Sequence, residues 1–183
     1  MEDRVKTNNN FNKDRAIGDN GETAVSFLIR SMQGQGWECT KFGVENHMEQ
    51  LKKMVREALN PVTKRIKSMP DFVAFNTKTK ETFFVEVKYR SNSKKGKYLF
   101  SYLDSYNEYW PGTKLVIVRP NDPHFVYVDL DKIEPKMKKS FEINPREWKE
   151  YWDFSHIEQD IKVLFPNLAD ETIKTAINMI PKI

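Results

Sequence analysis

Two apolar runs, Phe72-Val73-Ala74-Phe75 and Phe83-Phe84-Val85-Glu86-Val87, flank the polar stretch Asn76–Glu81. Rich in β-branched and aromatic residues, they read as a β-hairpin. Upstream, Val25, Leu28, Ile29 and Met32 recur at i, i+3, i+4 and i+7, a helical stripe. Gly34 and Gly36 end it, and a strand is expected over 37–42. A second amphipathic helix is expected over 45–59, with Met48, Leu51, Val55 and Leu59 on one side and Pro61 as its stop. Leu99, Leu103, Tyr106 and Trp110 space as a helix over 98–110. Strands are expected at 114–119 and 124–129, joined by the turn 120–123. Asn144-Pro145 has the cap and N1 residues of a helix carrying Trp148, Tyr151 and Trp152, and a last helix is expected over about 169–180. The polar residues 1–15 read as a flexible arm. Residues 16–183 read as one domain with a helical insertion at about 45–69 and a helical tail at about 144–183.

The hairpin has a checkable register. A loop centred between Lys78 and Thr79 makes paired residue numbers sum to 157, which sets Asp71 opposite Glu86. Such neighbours have Cβ atoms roughly 4.5–5.5 Å apart, and two carboxylates that close raise a pKa. A divalent cation is the usual reason for such a pair: Mg²⁺ is held by one or two carboxylates plus waters and phosphate. Lys88, two residues beyond Glu86, points to the same face. A one-residue slip would put the acids on opposite faces.

Pro70-Asp71, fourteen intervening residues and Glu86-Val87-Lys88 resemble the motif of the PD-(D/E)xK nuclease superfamily. The resemblance covers about residues 16–130. It implies an α/β fold: a restriction-endonuclease-like mixed central sheet flanked by helices on both faces, here with a C-terminal helical extension. It also implies a Mg²⁺- or Mn²⁺-dependent endonuclease that hydrolyses DNA phosphodiester bonds. Asp71 and Glu86 would be metal ligands with the Val87 carbonyl as a third. Lys88 would orient the attacking water and stabilise developing charge. Glu22 has two readings. Asp19-x-x-Glu22 fits a capping box at a helix start. Gly18-x-x-Gly21-Glu22 is also similar to the first helix of resolvase-like members, whose glutamate reaches the metal site. Within the superfamily the chain looks most like archaeal or viral Holliday junction resolvases, which implies branched DNA as a substrate and a two-fold homodimer as its cutter.

Composition narrows the field less. Lys+Arg is 30 against Asp+Glu 26, a net charge of +4, which permits nucleic acid without demanding it. The cations cluster beside the motif: Lys64, Arg65 and Lys67 before it, and Arg90, Lys94, Lys95 and Lys97 after it. They are the expected phosphate contacts. One cysteine, Cys39, excludes a disulfide framework. His47, His124 and His156 are scattered without metal-ligand spacing. No P-loop or Gly-x-Gly-x-x-Gly motif supports a nucleotide cofactor. With neither a signal peptide nor a long apolar run, the chain reads as an intracellular, cytoplasmic protein, in the host-cell cytoplasm if viral. Two other functions fit the same residues: a nucleic-acid-binding module that keeps the fold without turnover, and an endoribonuclease.

Overall fold

A computed structural model describes residues 2–43, 60–91, 97–100, 103–144 and 147–180. A six-stranded mixed sheet forms its centre. Its strands are β1 (Trp37–Lys41), β2 (Phe72–Asn76), β3 (Thr82–Tyr89), β5 (Thr113–Val118), β6 (Phe125–Asp129) and the short β9 (Gln159–Asp160), in that spatial order. β3 and β5 run parallel; the other neighbours are antiparallel. The hairpin is thus near the centre of an α/β sheet, as its pattern predicts.

Period-2 alternation gives β3 two different faces. Phe83, Val85 and Val87 enter one core, together with Ala24, Val25, Leu28 and Ile29 of helix α1 (Glu2–Ser31) and Met32 just after it. Helices α4 (Ile161–Leu164) and α5 (Asp170–Ile177) add Ile161 and Ala176 to that layer. Each Leu or Ile taken fully out of water there contributes about 1.5–3 kcal/mol.

The opposite face is covered differently from expectation. A second, three-stranded antiparallel sheet lies there, ordered β4 (Lys97–Phe100), β8 (Glu147–Asp153) and β7 (Lys138–Asn144). Tyr98, Phe100, Trp152 and Phe154 pack on Leu115, Ile117, Val126 and Val128 of the central sheet, with Leu103 and Tyr106 beside helix α3 (Asp104–Tyr109). Helices α1, α4 and α5 cover one face, and the other carries this second sheet together with the short helix α3.

This layer corrects two element assignments. The stretch 98–110 is a strand followed by a short helix. Tyr98 and Phe100 are buried while Leu99 is 44% exposed, which is strand alternation. The helix expected from Asn144 is a hairpin, with Asn144 paired to Glu147, so the helical tail begins only at Ile161. Two further boundaries move. The stretch 2–15, read as an arm, is helical as the first part of α1, and Asp19 inside that helix cannot form a capping box. Pro61 starts a helix rather than stopping one: α2 (Pro61–Lys67) is capped by Asn60, whose side chain accepts from the Thr63 N–H at 2.9 Å. The expected helix at 45–59 falls outside the described residues.

One glycine is required by geometry. Gly36 (φ +97°) closes the turn from α1 into β1, and a Cβ there would lie 2.8 Å from Asn76 Oδ1. Its carbonyl accepts the Thr77 N–H at 2.8 Å. The hairpin turn and the end of α1 are therefore clasped together, at the sheet end away from Asp71.

Candidate active site

Phe72 pairs with Val85, Val73 with Phe84, Ala74 with Phe83 and Phe75 with Thr82, so every pair sums to 157. Continued by one step, this register puts Asp71 opposite Glu86, as the sequence arithmetic predicts. Asp71 stands just outside the strand. Its carbonyl accepts the N–H groups of Phe42 at 2.8 Å and Gly43 at 3.3 Å. Its Oδ2 accepts the Val87 N–H at 2.7 Å, replacing the ladder bond that a longer β2 would make. The N–H and C=O of one residue leave a strand on the same side, so the Val87 carbonyl also points toward Asp71.

Glu86 is 2% exposed. Lys88 Nζ donates to Glu86 Oε1 in a close ion pair. Glu86 Oε2 is buried and has no hydrogen-bond partner of sound geometry among the described residues. Such an atom calls for a partner, and an ion or an ordered water is the usual one. The Tyr106 hydroxyl lies near enough to feel Glu86: burial first, and that carboxylate second, push it well above the ordinary tyrosine range.

The charges perturb one another. Burial, then the Glu86 charge, raise the Asp71 carboxyl well above its ordinary value. Burial pulls Lys88 down, but Glu86 and Asp71 outweigh it and hold the ammonium above its usual pKa. An acid whose pKa is higher folded than unfolded binds more protons in the native state. Asp71 therefore loses stability as pH rises from its unfolded pKa through its folded one, and above the folded pKa the full cost is present. Asp71→Asn is expected to raise Tm at neutral pH in chelator by about 2–4 °C, the shift that 1 kcal/mol makes at this size. The gain should vanish below about pH 4. A Tm unchanged or lowered at neutral pH would mean that the carboxylate is not strained.

Glu22 is partly buried and faces Lys41 at 3.8 Å. Burial raises its pKa, and it senses the charges of Lys88 and Glu86. It does not join Asp71 and Glu86: among the described residues no three His, Cys, Asp or Glu side chains group as a metal site. A cation here would rest on two carboxylates and the Val87 carbonyl, with waters and phosphate completing its shell, the usual donor set for Mg²⁺. The orphaned Glu86 Oε2 and the strained Asp71 carboxyl fit that demand.

The cations divide into two kinds. Lys64, Arg65 and Lys67 lie on α2 and are exposed or nearly so. The Arg65 guanidinium sits 5.2 Å from the Trp110 ring, and Trp110 packs on Phe42 and Phe84. Phe84 shares the sheet face of Glu86, so α2 stands on the side of the carboxylates. Arg90 is held in place: it donates to the carbonyls of Tyr89 at 2.7 Å and Leu99 at 3.2 Å and lies over Phe100. Lys97 pairs with Asp153 at 3.8 Å. Lys94 and Lys95 lie outside the described residues.

Nothing in the sequence marks Tyr106 as a neighbour of the site, because its spacing suits a helix core. The buried set Tyr98, Arg119 and Glu158 leaves no local signal, since its members come from distant segments. No helix among the described residues is long and apolar enough to cross a membrane. Compared with protein-family models, curated proteins and solved structures, the chain matches none of them.

Proposed function

We propose that this protein is a Mg²⁺- or Mn²⁺-dependent endonuclease that hydrolyses phosphodiester bonds in DNA, with branched DNA as the substrate form to try first. The observation that carries the reading is the pair Asp71 and Glu86, set opposite each other at the mouth of a hairpin with Lys88 bonded to one of them. Asp71, Glu86 and the Val87 carbonyl would hold the cation. When bound, it supplies charge stabilisation to the phosphate and lowers the pKa of the attacking water. Lys88 is kept cationic by its carboxylate neighbours and offers a fixed positive charge to the phosphate oxygens. Glu86 holds that ammonium in place, and the buried Tyr106 limits water on the inner side of the pair.

The test is cleavage of four-way junction, flap, single-stranded and duplex DNA with each metal, beside Asp71→Ala. Cleavage lost in the variant supports the reading, and the preferred substrate names the subtype. Failure to cut any of these with either metal would overturn it.

A second reading is a binding module that keeps the fold without turnover. It predicts DNA binding without cleavage in both metals. Cleavage of single-stranded RNA alone would instead identify an endoribonuclease.

On either reading, α2 should touch the phosphate backbone. Lys64→Ala with Lys67→Ala leaves the Arg65–Trp110 contact intact. It is expected to lower the slope of log affinity against log salt by about two, one for each phosphate deprived of its lysine. An unchanged slope would clear α2 of that role.

A further inference from the structure

A second polar site lies beyond the carboxylates, where β3 and β5 end side by side. Their parallel register runs to Tyr89 with Val118, and the Arg90 N–H donates to the Val118 carbonyl at 2.9 Å. Arg90 and Arg119 are therefore the next residues of two adjacent strands. Both line a cavity of about 100 Å³ with Ser91, Asn121, Asp122 and Pro123. A volume of that order admits several waters or one tetrahedral oxyanion. Crevices outside the carboxyl ends of parallel strands are where open α/β sheets take ligands.

The arginines are preorganised. Arg119 is 6% exposed. Its Nε donates to the Pro123 carbonyl at 2.9 Å, and its Nη1 lies 3.1 Å from the Tyr98 hydroxyl and 3.4 Å from Glu158 Oε1. Its Nη2 is buried with no acceptor among the described residues. Glu158 balances Arg119 from the core side. Asp122, at the rim, is exposed. Arg90 has no ion pair among the described residues, and burial lowers its pKa only to about 10, so it stays cationic at neutral pH. The cavity is thus lined by one arginine without an ion pair and by another whose buried Nη2 lacks an acceptor, a combination suited to a bidentate oxyanion.

Its place relative to the carboxylates suggests the anion's source. Arg90 follows Lys88 by two residues on the same face, about 6.6 Å along the strand. We infer that this cavity is an oxyanion site that takes a backbone phosphate of the nucleic-acid strand, next to the phosphodiester held at Asp71 and Glu86. The source of the anion rests on the nuclease reading; the oxyanion site does not.

The test uses the full chain and inorganic phosphate, followed through the Arg90 and Arg119 Nε–H signals by NMR. Both signals should shift saturably with phosphate and not with chloride. Asn121→Asp, which keeps both arginines and adds a negative charge to the lining, should lose the shift. No saturable shift in the unaltered protein would overturn the site. DNA binding is then measured in an Asp71→Asn background. There Asn121→Asp should weaken affinity about tenfold, the effect of one charge-assisted contact, and lower the salt slope by about one. A phosphate shift with DNA affinity and slope unchanged would overturn the backbone assignment in favour of a free phosphate. A phosphate shift in a protein that neither binds nor cuts nucleic acid would retain the oxyanion site and overturn both the nuclease reading and the backbone assignment.

Discussion

On the proposed endonuclease reading, Glu86→Gln is expected to reduce cleavage by at least about a thousandfold while the protein stays folded and still binds DNA. The amide matches the carboxylate in size, so the 2% exposed position keeps its packing. What disappears is charge. The pair with Asp71 becomes a single carboxylate, and a cation loses one of its two anionic ligands. Lys88 loses the partner that offsets its burial, so its pKa falls and less of it remains cationic. Loss of one electrostatic anchor of a transition state alone costs about 10²–10³ in rate, and here two are weakened together. DNA affinity should hold or rise, because a negative charge has left the phosphate path. Kinetics with Mg²⁺ and binding in chelator measure the two effects separately. A variant that cuts at the unaltered rate would remove Glu86 from the site.

Glu158→Ala should cost about 3–5 kcal/mol of stability, the cost of stranding one partner of a buried ion pair. Arg119 and Glu158 side chains are only 7% and 5% exposed. Removing the carboxylate leaves a guanidinium whose Nη2 already lacks an acceptor, and it takes the acceptor from the Tyr98 hydroxyl, which donates to Glu158 Oε2. Urea unfolding should show a lower midpoint with an unchanged m-value, and Tm should drop by roughly 6–20 °C. Arg119→Met combined with Glu158→Leu should recover most of the loss, since apolar replacement of a whole buried pair is often neutral. If the double variant is as unstable as the single one, packing rather than stranded charge sets the cost.

The juxtaposition of Asp71 and Glu86 was legible in the sequence because it is local. An even loop and two apolar runs fix the hairpin register, and the register alone sets Asp71 against Glu86. The helical stripe of α1 and strands β5 and β6 were equally plain, each being long or strongly patterned. The failures have a common source. Asn60-Pro61 and Asn144-Pro145 are the same dipeptide, yet Asn60 caps a helix while Asn144 ends a strand and pairs with Glu147. Trp148, Tyr151 and Trp152 satisfy a helical period, but Tyr98 and Trp152 are cross-strand partners in a second sheet. Which period holds there depends on β4, whose alternation over Lys97–Phe100 is too short to read alone. Tertiary packing overrides local preference at such places.

The two polar sites differ in what each needs to be assembled. Asp71, Glu86, Val87 and Lys88 all lie on one hairpin, so a single continuous stretch carries the carboxylates, the carbonyl and the ammonium. The Arg119 cluster draws on Tyr98 and Glu158 from distant segments and exists only when both sheets are packed together. Local opening of the β4–β8–β7 layer would therefore undo the arginine cluster first and leave Asp71 and Glu86 in register.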